Sequence, residues 1–234
     1  MTNILEVRNL SKSFNGLRAV TDVNLEVKKG SVAGLAGPNG AGKTTLFNLI
    51  SGFISPTSGN IYFEGSDITS WSVPRRVNLG ITRTFQESRV FPGLTVRENV
   101  LTGTYTAGSK GIFESIVRQD GTGQVGDEES AIGWVLEVTN LKNYEGAMAC
   151  NLSYGYRQRL ELAIAIATNP KLLLLDEPFS GTHASDLQEL AGLLGVLKEA
   201  GLTVILVEHD ITTVANIADR FVYMEGGKVT IPNG

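Results

Sequence analysis

Gly37-Pro38-Asn39-Gly40-Ala41-Gly42-Lys43-Thr44-Thr45 is the stretch that decides the fold of this 234-residue chain. Its spacing, G-x-x-x-x-G-K-T, is that of a phosphate-binding loop between a strand and a helix. The glycines let the backbone curl until successive N–H groups face one anion, and the helix start adds its positive end. In that setting Lys43 reaches the β- and γ-phosphates of a nucleotide, and the Thr44 hydroxyl ligates magnesium. A glycine-rich turn that binds nothing is the bland alternative. The flanks argue against it: Ser31 to Leu35 reads as a buried strand, and Lys43 to about Ile50 as a helix.

Outward from the loop, residues 4–7 and roughly 20–27 alternate apolar and polar, as half-buried strands do. A turn at Pro56, Ser58 and Gly59 precedes a strand over Asn60 to Glu64, and another strand is expected near Leu79 to Thr84. The stretch from about 90 to 160 is mostly helical. Short helices are expected over Thr95 to Leu101 and Glu128 to Thr139, and a longer one from near Ser153 to Thr168. Residues 107–127 carry five glycines and little periodicity, which reads as a loop or loosely packed insertion. Strands and helices then alternate again: Lys171 to Leu175, Ser185 to Glu199, Thr203 to Val207, Thr212 to Ala218, then Phe221 to Met224 and Val229 to Ile231 about the turn Gly226-Gly227. Buried strands separated by helices argue for an α/β fold with a mostly parallel central sheet.

Composition narrows the function. Hydrophobic residues make up 42% of the chain and charged residues 19%, with a formal net charge of -4. An acidic balance leaves no electrostatic footprint for nucleic acid. A single cysteine, Cys150, excludes an internal disulfide or a cysteine-built metal site. The N-terminus alternates and carries charges, unlike a signal peptide, and the apolar runs are too short to cross a bilayer. Work at a membrane therefore requires a partner that supplies the span.

Three further positions carry chemistry. Leu172 to Asp176, followed by Glu177, puts two carboxylates at the C-terminal end of a buried strand, the edge where such sheets bind ligands. Asp176 can hold magnesium directly or through water, and Glu177 is placed to polarise an attacking water. His209 follows the buried strand Thr203 to Val207 and reaches the same edge; alone it reads equally well as a neutral capping or packing residue. Gln86, after the strand ending near Thr84, can touch magnesium or the attacking water, though alone it is a loop glutamine.

Together these residues resemble the ATPase subunits of ABC transporters, from residue 4 to about 231. Gly37, Pro38, Asn39, Gly40, Ala41, Gly42, Lys43, Thr44 and Thr45 resemble the Walker A loop, Gln86 the Q-loop, and Leu172 to Glu177 the Walker B strand with its catalytic glutamate. Leu152-Ser153-Tyr154-Gly155 matches the start of the signature motif, and His209 the switch histidine. Phe14 matches the aromatic residue that stacks on adenine; alone it reads equally as core. Arg83-Thr84-Phe85-Gln86, Arg159-Leu160-Glu161-Leu162-Ala163 and Glu208-His209-Asp210 are similar to the branch serving branched-chain amino acid uptake, the LivG type. Urea importers and lipopolysaccharide exporters have related ATPases.

The resemblance implies a P-loop NTPase fold of ABC ATPase type. Such a domain has an N-terminal antiparallel β part, a RecA-like core over about 1–88 and 160–234, and a helical subdomain over about 89–159. It implies ATP and Mg2+ as ligands, with Thr44, Gln86 and Asp176 at the metal and Lys43, Gln86, Glu177 and His209 in catalysis. Ser153 and Gly155 would contact the γ-phosphate from a second ATPase subunit, a copy or a paralogue, arranged head to tail. Transmembrane permease subunits, met near residues 87–99 where Phe91 and Leu94 stand out as apolar, would hold the protein peripherally on the cytoplasmic side of the cell membrane. An extracytoplasmic solute-binding protein would act indirectly.

The sequence departs from the family pattern in places. Tyr156 and Arg157 follow Gly155 where glutamine is common, and Ser180-Gly181-Thr182-His183 lacks the usual Asp or Asn in the loop that links two ATP sites. Relatives of this branch usually continue past the point matching Ile231. Two other classes are disfavoured. Soluble ABC proteins acting on ribosomes or DNA carry fused domains or a long coiled coil, and a module without turnover would not need Glu177 and His209.

Overall fold

The computed structural model describes residues 2–84, 90–105, 128–178 and 184–230. Gln86, the insertion over residues 107–127, Ser180 to His183 and Ile231 lie outside the described residues. The chain forms two compact units. One comprises residues 1–76, 174–177 and 203–234, and the other residues 77–173 and 178–202.

The first unit opens with a hairpin of β1 (Asn3–Phe14) and β2 (Leu17–Lys28), joined in the sheet order β2-β1-β4-β5 by β4 (Ser58–Phe63) and β5 (Ser66–Asp67). The strands are longer than their alternating pieces suggest. Polar residues such as Asn9, Ser11 and Ser13 break the alternation, yet irregularities in register keep the strands paired through them. Leu5, Val7 and Leu10 of β1 and Val20, Val23, Leu25 and Val27 of β2 are buried. The second sheet of this unit runs β10-β9-β3-β8 and ends on the last residues of β7. Its strands are β3 (Val32–Ala36), β7 (Leu172–Asp176), β8 (Thr203–Glu208), β9 (Arg220–Glu225) and β10 (Lys228–Thr230). β3 pairs in parallel with β8 and β9, and only β9 with β10 is antiparallel among the registers described for this sheet. Every residue of β7 and of β8 is buried, as continuous apolar runs in a parallel sheet require.

Helix α1 (Lys43–Ser51) leaves the phosphate loop, with Leu46, Phe47, Leu49 and Ile50 buried. Its far end is held by Arg76, from α2 (Val73–Leu79). The sequence did not signal α2, because the run Arg75-Arg76 and Asn78 interrupts any apolar stripe. Arg75 lies over the Trp71 ring at 3.7 Å, while Arg76 is 1% exposed. The Arg76 guanidinium donates to Leu49 O and Ile50 O, both at 2.7 Å, to Thr69 O at 2.9 Å and to Trp71 O at 3.0 Å. It thus pairs Ile50 O and shares Leu49 O with Gly52 N–H at the last turn of α1, and its charge complements the negative end of that helix. Burial lowers its pKa to about 10, so it stays charged at neutral pH.

In the second unit, β6 (Ile81–Arg83) lies beside the start of β7, where Lys171 and Leu172 donate N–H groups to Gly80 O. Helices α3 (Val96–Thr104), α4 (Glu128–Val138), α5 (Tyr154–Ala167) and α6 (Ala184–Glu199) follow. Thr95 and Glu98 close α3 with a reciprocal capping box. Buried Asn99 fastens the preceding loop: its Oδ1 accepts from Phe91 N–H at 2.7 Å, and its Nδ2 donates to Phe91 O and Thr95 O.

Replacing Arg76 by alanine is expected to destabilise the protein by about 3 kcal/mol, since buried carbonyls lose their donors. Lysine should recover only part of this, because an ammonium lacks the planar fork that reaches several carbonyls at once. Urea denaturation of the two variants against wild type checks both.

Candidate active site

Three parallel strand ends meet at one edge. Ala36, the last residue of β3, pairs in register with Glu208, the last of β8, and Glu177 N–H donates to Val207 O at 3.0 Å. The phosphate loop begins at Gly37, one residue past β3. Two of its glycines are required by space. A Cβ on Gly37 would lie 2.2 Å from Met224 O, and one on Gly42 would lie 2.4 Å from Ala19 O. Gly42 also holds φ 106°, in the region that favours glycine. Pro38, Asn39 and Gly40 form the exposed crest of the loop.

Helix α1 starts without a side-chain cap and without an acidic residue in its first turn. Three other helices carry a side-chain cap: Thr95 at α3, Ser153 at α5, and Asp210 at α7 (Ile211–Ile217), where it accepts from Thr212 and Thr213 N–H. An uncapped helix start carries partial positive charge that suits an anion. Lys43 is folded into it, 5% exposed, with Nζ donating to Gly37 O at 2.5 Å and Pro38 O at 3.2 Å. Those carbonyls are neutral partners, and a phosphate would be a stronger one. Thr44 is exposed at the helix start, with Thr45 half-buried beside it.

Asp176 is 2% exposed at the end of β7. Glu177 is half-buried and takes φ 48°, a backbone position that non-glycine residues seldom adopt and that recurs at functional sites. His209 is exposed, its Nδ1 3.8 Å from a Glu208 carboxylate oxygen. Phe14 is 43% exposed, so it is not a core residue; Lys12 Nζ lies 5.0 Å from its ring centre. Lys43, Asp176, Glu177 and His209 thus sit in the unit that holds the loop. Ser153 and Gly155 lie in the other unit, at the start of α5. The Ser153 hydroxyl accepts a long bond, 3.5 Å, from Tyr156 N–H, and the space where a Gly155 Cβ would stand is open among the described residues.

One acid at this edge gave no functional signal of its own in the sequence. Glu208 is 4% exposed. Burial first, then the charges of Glu177 and Asp210, push its pKa up to about 7; Lys43 and the His209 N–H oppose them. Its sequence signal is slight, an acid closing the buried run Thr-Val-Ile-Leu-Val-Glu. The oxygen donors Thr44 and Asp176 suit magnesium. Among the described residues no group of three or more His, Cys, Asp or Glu could hold a metal.

The ABC transporter family matches residues 20–180. The high-affinity branched-chain amino acid transport ATP-binding protein BraF of Pseudomonas aeruginosa is 37% identical, over 96% of this chain and 89% of its own length. LivG of Escherichia coli, described in the same words, is 36% identical over 99% of this chain and 91% of its own. The crystal structure of the ADP conformation of MJ1267, an ATP-binding cassette of an ABC transporter, superposes with a TM-score of 0.83 at 31% identity, covering 98% of this chain and 90% of that one. The chain belongs to the ABC transporter family and is an ATP-binding, ATP-hydrolysing subunit of that class. No helix among the described residues is long and apolar enough to cross a membrane.

The buried Glu208 has a measurable cost. At low pH its carboxyl is protonated folded or unfolded and contributes nothing. Between the ordinary value of 4.5 and about 7 the unfolded chain loses the proton while the folded chain keeps it, so stability falls as pH rises. Above pH 7 the full cost is about 3 kcal/mol. Glu208→Gln, neutral at every pH, should therefore be more stable than wild type by about 3 kcal/mol at pH 8 and by under about 1 kcal/mol at pH 5. Denaturation of the nucleotide-free protein at both pH values checks this; an equal difference at the two would contradict the raised carboxyl.

Proposed function

We propose that this chain powers an importer of branched-chain or other hydrophobic amino acids, bound peripherally to permease subunits on the cytoplasmic face of the membrane. The observation that carries the ATPase part is the convergence of an uncapped helix start, Lys43, Asp176 and Glu177 at one sheet edge. The transported class rests on the similarity to BraF and LivG over nearly the whole chain.

In this reading the loop from Gly37 to Thr45 and Lys43 bind the triphosphate, and Phe14 stacks on the adenine. Thr44, Gln86 and Asp176 hold magnesium, which supplies positive charge against the phosphates. Glu177 accepts the proton of the attacking water, and His209 orients the γ-phosphate. Ser153 and Gly155 complete the site from the opposite ATPase subunit, a copy or a paralogue. Backbone N–H groups at the start of α5 then face the phosphate that a single subunit leaves open to water. ATP binds the closed pair better than the open one, and that difference drives closure. The helical subdomain, about 89–159, carries the permease contact. Phe91 is 52% exposed there, with its backbone held by buried Asn99. A solute-binding protein outside the membrane delivers the amino acid.

Glu177→Gln keeps the shape of the side chain and loses the carboxylate. It should bind ATP, hydrolyse it at least about a hundredfold more slowly than wild type, and shift from monomer towards dimer on adding ATP. Light scattering on the variant, alone and mixed with the second ATPase of the transporter, reads the assembly. A particle that stays monomeric in both at saturating ATP contradicts the two-subunit site.

A further inference from the structure

Glu208 has no role in the binding and hydrolysis just described, yet it lies at their centre. It is the terminal residue of a fully buried strand, in register with the residue before the phosphate loop. The backbone pins Glu177 beside it through the bond from Glu177 N–H to Val207 O, at a left-handed φ that fixes the direction in which Glu177 leaves the strand. No residue from β3 offers a counter-charge, since Ala36 stands opposite. Lys43, from the start of α1, is engaged with Gly37 O and Pro38 O. Asp210 is occupied in capping α7, and His209 is 60% exposed with its ring nitrogen 3.8 Å away. Glu177 after β7, Lys43 on α1, and His209 and Asp210 after β8 are the charged and titratable groups that bear on Glu208 among the described residues, and the buried Asp176 ends the neighbouring strand β7.

We propose that Glu208 is a positioning residue for ATP hydrolysis, a buried acid that sets where the Glu177 carboxylate points. With its proton, Glu208 is a hydrogen-bond donor, and the carboxylate beside it is drawn inward, away from the water it must activate. Without the proton, two like charges repel, and Glu177, the less buried of the two, turns outward to the phosphate edge. Keeping such an acid in the interior lowers stability, as residues held for function often do. Glu208 touches neither nucleotide nor water in this account; it acts through Glu177. The proposal rests on the ATPase assignment.

Steady-state hydrolysis by wild type, Glu208→Gln and Glu208→Asp from pH 6 to pH 8.5 tests it. Glutamine is neutral and donates a hydrogen bond, so it mimics the protonated acid at every pH. Its kcat should fall about tenfold below wild type at pH 8.5 and stay within about twofold at pH 6, with KM for ATP unchanged within about twofold throughout. Aspartate keeps the charge and should restore most of the rise with pH. The same acid is read without nucleotide, from the interval over which the unfolding stabilities of wild type and Glu208→Gln diverge. A wild type that hydrolyses ATP, with a loss in Glu208→Gln that is absent or equal at both pH values, overturns the proposal alone. A wild type that does not hydrolyse ATP at pH 8.5 contradicts the ATPase assignment, and the proposal with it.

Discussion

A compact polyanion has to be held by groups that cost little to leave unpaired, and most of the first unit answers to that constraint. Backbone amides and an open helix end meet it, because they carry partial positive charge without a counter-ion. Helix α1 is uncapped at its start, where the anion would sit, and heavily tied at its end, where Arg76 takes up the carbonyls. The two ends are complementary. A helix aimed at a ligand must be anchored from behind, and the buried guanidinium does so from a helix that follows in the chain. Gly37 and Gly42 lie so close to Met224 O and Ala19 O that the loop is packed against the β9–β10 turn region and β2. The two ends of the phosphate loop are therefore packed into the core, while its crest over Pro38, Asn39 and Gly40 is exposed.

The opposite charge gathers at the same edge. Asp176, Glu177 and Glu208 end two adjacent buried strands, and the strain at Glu177 and the raised pKa of Glu208 are local costs of that arrangement. A buried acid beside a non-glycine residue in the left-handed region, at the edge where the phosphate loop begins, is what a site assembled for chemistry shows. In the proposed reading magnesium would supply positive charge at this edge and relieve part of that cost.

Much of this was legible in the sequence because it depends on local spacing. The loop from Gly37 to Thr45, the run Leu172 to Glu177 and the run ending in Glu208-His209 each place chemistry immediately after a continuous apolar strand, and all those strands formed. The helices over Glu128–Val138 and Tyr154–Ala167 followed their apolar spacing to within a residue or two. Three features were not legible. The hairpin is longer than its alternation, since bulged pairing carries polar residues that pattern reading treats as an end. Helix α2 has no apolar stripe, because its buried residue is an arginine whose partners are backbone carbonyls up to 27 positions away. The state of Glu208 depends on burial and on Glu177, 31 positions earlier in the chain, and neither is encoded locally. Interactions made through long-range contacts with backbone leave no periodicity to read.

The central claim is that the phosphates, more than the base, are what this site holds. Calorimetric titration of the wild-type protein with ATP and with adenosine, both with magnesium, measures it directly. The account predicts that ATP binds at least about a hundredfold more tightly than adenosine, the ~3 kcal/mol expected from a few charge-assisted bonds to phosphate. Equal affinities for the two would mean that the loop from Gly37 to Thr45 does not carry the binding, and would contradict it.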